Sequence, residues 1–109
     1  MANTYKFTGV TLTTTDTTAI LTAGTAETII LKSIIVSSAA YTPTVTFSVT
    51  DDSASATYLI AHYVTLTANN SEQILTKPQV LEGGDILKFV SSSSDSLDIV
   101  MSYLVLTRT

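Results

Sequence analysis

Cysteine and tryptophan are absent from this chain of 109 residues, histidine occurs once, proline twice and glycine four times. Without cysteine there is no disulfide staple and no thiolate chemistry. Charge is scarce as well. Asp, Glu, Lys and Arg make up 13% of the residues, about half the share of an ordinary globular domain. Low charge with 45% hydrophobic residues is the reverse of the balance that keeps a chain disordered. The net charge is −4, and Lys6, Lys32, Lys77, Lys88 and Arg108 stand singly along the chain. They form no concentrated positive footprint to displace counterions from phosphates, so nucleic acid is not an expected partner. No apolar run approaches the ~20 residues that span a bilayer, and "MANTYKFTGV" lacks the apolar core of a signal peptide. A membrane is not an expected partner either, and a soluble protein made in a cytoplasm is expected.

What the chain has in plenty is threonine and serine. Threonine is β-branched and half polar, which suits the wet face of a pleated sheet. Short apolar alternations separated by turn residues recur along the sequence. They predict one all-β domain over residues 1–109, an antiparallel β-sandwich, jelly-roll-like, of about eight strands. The clearest strand is "TVTFSVT", in which Val45, Phe47 and Val49 point inward and Thr44, Thr46, Ser48 and Thr50 outward. Pro43 fits immediately before it, where a strand tolerates proline. Residues 5–14, 18–22, 27–37, 57–66, 72–77, 86–90 and 97–107 supply the other expected strands, with a bulge expected near Gly9. Residues 29–36 and 99–106 are apolar on both faces. In a sandwich with one wet face per sheet, this predicts a second covered surface. Ile29, Leu31, Ile35, Leu104 and Leu106 are the candidates for a homo-oligomer interface.

Residues with chemical potential have simpler structural readings. His62 is the single histidine, and no nucleophile or orienting carboxylate is assigned to it by sequence. Asp51, Asp52, Asp85, Asp95 and Asp98 offer oxygen ligands without calcium-loop spacing, and Asp at turns bonds its local backbone. Gly83-Gly84-Asp85 precedes a strand, not a helix, so it is read as a tight corner with positive φ and not as a phosphate loop. Asn69 and Ser71 formally match a glycosylation sequon within a polar turn. Tyr41, Tyr58, Tyr63 and Tyr103 are candidates for an aromatic sugar platform, against the alternative of core-edge residues. No catalytic residue, cofactor site or metal ligand is expected, and the protein is not expected to be an enzyme.

The succession "AETIILKSIIVSS", "TPTVTFSVTDD", "TYLIAHYVTLTANNSEQIL" and "VLEGGDILKFVSSSSDSLDIVMSYLVLTR" resembles small virion structural proteins of tailed bacteriophages. These include capsid decoration (cement) proteins, head-fibre bases, and neck or tail components. The resemblance covers nearly the whole chain from Ala26 and lies in the pattern of strands and turns. It implies a β-sandwich or jelly roll, often trimeric, that clamps the major capsid protein at the outer surface of the virion. It also leaves open a neck, tail or baseplate ring component, and a carbohydrate-binding module on a virion. The family members that grip the shell with an extended N-terminal arm differ from this sequence, in which Met1 to Thr4 alone precede the first expected strand.

Overall fold

Strands of three to twelve residues run throughout the computed structural model, which describes residues 2–38, 42–75, 77–93 and 96–107. Among the described residues nine strands form, in chain order: β1 (Ala2–Leu12), β2 (Thr18–Thr22), β3 (Glu27–Ser38), β4 (Thr44–Asp51), β5 (Ala56–Thr65), β6 (Asn70–Gln73), β7 (Gln79–Leu81), β8 (Ile86–Ser91) and β9 (Leu97–Thr107). One sheet has the order β1-β9-β3-β6, with β7 also paired to β3, and the other has the order β2-β8-β4-β5. Every pairing is antiparallel. β6 opposes Ile35–Ser38 and β7 opposes Ile29–Leu31, so the two occupy one strand position end to end along β3. Counted that way the sandwich has two sheets of four positions, in jelly-roll order.

The core lies between the sheets. Phe47 of β4 and Phe89 of β8 face one another across the ladder, with ring centroids 5.0 Å apart at 60°, a favourable tilted arrangement. Val45, Phe47 and Val49 are buried as expected, and Thr46 on the other face is buried too. Its hydroxyl accepts a bond of 3.2 Å from the Tyr63 N–H of β5.

The two-faced apolarity of β3 has a local cause. Its register against β9 slips by one residue between Leu31 and Ser33. This is a β-bulge, and a one-residue bulge exchanges the faces that odd and even positions occupy. Ile29 and Leu31 point inward before it, and Ile34 and Val36 point inward after it. Two of the expected interface candidates therefore leave the surface: Ile29 is 2% exposed and Leu31 is 0% exposed, enclosed by the chain's own second sheet. The bulge expected near Gly9 is not formed. The β1–β9 ladder runs without a register shift from Ala2 to Leu12, because Tyr5, Phe7 and Gly9 on one face and Val10 and Leu12 on the other are ordinary odd-even alternation.

One end of the sandwich is closed by the Gly83-Gly84-Asp85 corner. The Asp85 carboxylate accepts the Asp52 N–H at 3.0 Å and the Glu82 N–H at 2.9 Å. Its carbonyl accepts the Ala23 N–H at 3.0 Å, and the Gly84 N–H donates to the Ala23 carbonyl at 2.9 Å. Three turns are thus tied through one residue. The glycines serve different needs. Gly84 has φ of +88°, whereas a Cβ on Gly83 would lie 2.6 Å from the Thr25 carbonyl oxygen.

Candidate interaction surface

Residues directly opposite in an antiparallel ladder share a face, so the register identifies what the five-stranded sheet presents outward. Tyr5 of β1 opposes Leu104 of β9, Leu104 opposes Ile30 of β3, and Ile30 opposes Val80 of β7. One continuous apolar row crosses four strands. Tyr5 is 79% exposed, Phe7 of the next row 74%, and Val80 47%. A further row joins Gly9, Val100, Ile35 and Gln73, with Val100 and Ile35 exposed. Toward one end the surface turns polar. There Thr11 bonds Asp98 at 2.7 Å, and Ser37 bonds Ser71 at 2.7 Å. An apolar centre beside a hydrogen-bonded polar margin is the layout of an association surface.

Of the five residues expected at an interface, Ile35, Leu104 and Leu106 lie on this outer face, as their register with Val100, Tyr5 and Asn3 requires. Tyr5, Phe7, Ile30, Val80 and Val100 were not expected there. Their signal was present only in part. The alternation of Tyr5 and Phe7 with polar neighbours is visible in the sequence, but the row they join exists only once β1, β9, β3 and β7 are aligned.

A second feature lies between β5 and β7, which among the described strands pair with β4 and β3 respectively. The sheets part into an open cleft of about 540 Å³, lined by Tyr58 and Leu59, by Gln79 and Val80, and at one end by Asp51 and Glu82. The Ser53 hydroxyl, then the Ala54 N–H, hold the Asp51 carboxyl below its ordinary pKa, the hydroxyl bond being 2.8 Å. Asp85 also borders the cleft, but its carboxylate is committed to the backbone of the closing corner.

The other residues considered above fall apart in space or take structural roles. His62 is exposed and lies against Tyr63, the ring centroids 3.9 Å apart and the planes tilted by 34°. Tyr63 has φ of +54° where the β4–β5 register slips. Tyr103 is buried and shares a 2.7 Å bond with the Thr8 hydroxyl. Tyr58 borders the larger cleft and Tyr63 a smaller one of about 190 Å³, and Tyr41 lies outside the described residues, so no common tyrosine platform is built from Tyr58, Tyr63 and Tyr103. Asp52 and Asp85 meet through a backbone bond, whereas Asp98 sits on the outer face and Asp95 lies outside the described residues. Among the described residues no group of three or more His, Asp or Glu side chains is placed to hold a metal ion. Asn69 is exposed in a turn with φ of +56°.

No protein-family model matches the chain, and no curated protein matches it. Solved structures that resemble it include these two. The first is the Drosophila NLP-core, described for pentamer formation and histone binding, at a TM-score of 0.51 and 15% identity over 91% of this chain and 97% of that one. This likeness shows the fold. The second is a structure of infectious bursal disease virus Gt strain, at a TM-score of 0.40 and 14% identity over 96% of this chain. This chain spans 30% of the viral chain's length.

Proposed function

We propose that this protein is a virion structural protein that acts by association and not by catalysis, and specifically a capsid decoration protein that stabilises a mature bacteriophage head. The observation that carries the reading is the outer face of the five-stranded sheet, where Tyr5, Leu104, Ile30 and Val80 form an apolar row in register. Exposing such a row to water is unfavourable at about 25 cal/mol per Å², so covering it with another protein surface stabilises the assembly. The resemblance of the strand-and-turn pattern to cement proteins supplies the partner, the major capsid protein. It also supplies the symmetry, a trimer at local threefold positions on the outer surface. The NLP-core, which shares the fold, is described for pentamer formation, and this supports assembly of the chain into a homo-oligomer. Many copies of one moderate contact, linked through a symmetric oligomer, give high avidity without a deep pocket.

The test is saturation binding to empty shells of the cognate major capsid protein. A decoration protein fills the shell lattice with hundreds of copies. Saturation at about a dozen copies would replace this reading with a neck, tail or baseplate ring.

The cleft between β5 and β7 favours a second reading, a carbohydrate-binding module on a virion. Tyr58 lines it together with Gln79, Asp51 and Glu82, and a ring beside such acceptors suits a sugar. Glycan-array binding that disappears in Tyr58→Ala would support it, and an array without signal would remove it.

A further inference from the structure

A β-sandwich has four edges, and each offers unpaired N–H and C=O groups to another strand unless something blunts it. Three edges of this sandwich are blunted. β2 has five residues and a register irregularity against β8. β5 carries two register shifts against β4. The fourth position of the larger sheet is split into β6 and β7, with Pro78 between them. β1 has none of these protections. It is eleven residues long, contains no proline, runs without a shift, and among the described strands pairs with β9 alone. Lys6 is its one charged residue, and Asn3 to Phe7 are exposed on both faces.

We infer that β1 is a homodimerisation edge, pairing antiparallel with β1 of a second copy about a twofold axis at Phe7 and joining the two five-stranded sheets into one. The occupant follows from the strand's own symmetry. Phe7 is the midpoint of Ala2–Leu12, so an axis there pairs all eleven residues. In that register Tyr5 lies opposite Gly9 of the second copy. A Cβ added at Gly9 would meet nothing within 4 Å, which leaves open space for the ring, and an aromatic covering a cross-strand glycine is a known stabilising device. Lys6 then lies opposite Thr8, and Phe7 opposite Phe7. An axis one residue away, at Lys6, would instead set two lysines directly against each other, which is destabilising. The inference is independent of the proposed function: it predicts an even number of chains whatever the shell contact, and within a threefold ring it would join two rings.

The experiment combines absolute mass by light scattering with a single-cysteine scan, made simple by the absence of native cysteine. The wild type is expected at an even number of chains, and Phe7→Lys at half that mass with an unchanged thermal melt, because it sets like charges face to face on the axis. Under mild oxidant, single cysteines placed at positions 5, 6, 7, 8 and 9 are expected to give covalent dimers most efficiently in Phe7→Cys, with signal falling away on either side. A wild type with an odd number of chains would overturn the inference. So would a crosslinking maximum at another position, or a Phe7→Lys mass equal to that of the wild type. Shell binding is read instead on Leu104→Glu, a variant on β9 and outside β1, so that loss of shell binding and loss of the β1 pair are measured on different proteins.

Discussion

Asp85 shows how much a single carboxylate can organise. It is 7% exposed, and its two oxygens accept the Asp52 and Glu82 N–H groups while its carbonyl holds Ala23. Asp85→Ala would strand both donors and is expected to destabilise by about 1–3 kcal/mol per donor left unsatisfied, read from chemical denaturation. Asp85→Asn keeps one acceptor oxygen and should fall between that variant and the wild type. Gly83→Ala drives a methyl against the Thr25 carbonyl and is expected to cost about 1–3 kcal/mol. Asp51 predicts a pH dependence. Bonds from the Ser53 hydroxyl and the Ala54 N–H lower its folded pKa, so the unfolded chain takes up its proton first as pH falls. The stabilisation is complete above the unfolded carboxylate pKa and is lost as pH drops through the folded value. Across that acid window the melting temperature of Asp51→Asn should decline less than that of the wild type. Equal slopes would assign the acid sensitivity to other groups. At this scale the sequence was partly legible. A Gly-Gly-Asp corner was evident, but the close approach that fixes Gly83 depends on Thr25, far away in sequence.

Among the elements, β3 and β4 mark the two limits of what alternation reveals. β4 reads directly, since Val45, Phe47 and Val49 face one way in an unbroken run. Phe47→Ala would open a cavity against Phe89 and is expected to cost about 3–5 kcal/mol. β3 does not read directly, because a bulge adds one residue and leaves no compositional mark. Its apolar residues on both parities then imitate a strand buried on two faces. This account predicts that deletion of Lys32, the exposed residue at the slip, restores a regular ladder and leaves the protein folded. Deletion of Ile30 instead forces Lys32 inward or Ile29 outward and should abolish the cooperative melt. If both deletions melt alike, the bulge is not what places Ile34 and Val36 in the core. β7 was hidden for another reason. Three residues bounded by a proline and a glycine corner carry too little alternation to be recognised without the β3 edge that pairs them.

At the scale of the whole molecule, the all-β sandwich was legible because every long strand announced itself, and the jelly-roll order places them in two sheets as expected. The proposed association surface was legible only in part. Ile35, Leu104 and Leu106 could be picked out as surplus apolar residues, while Tyr5, Ile30 and Val80 become one row only through cross-strand register. Oligomer symmetry is a separate quantity. A threefold ring predicts a solution mass in multiples of three chains, and a fivefold one predicts multiples of five. Neither changes the central claim, that the outer face of the five-stranded sheet is the surface through which the protein acts. Leu104→Glu tests it most directly, because the residue is central in the row and only half-buried, so a charge there can reach water without disturbing the core. The measurement is co-sedimentation of this variant with empty capsid shells, alongside its thermal melt. The account predicts a melt close to that of the wild type and binding reduced at least about tenfold, the loss that follows when about 1.4 kcal/mol of contact is removed. A folded Leu104→Glu protein that saturates the shells as the wild type does would contradict it.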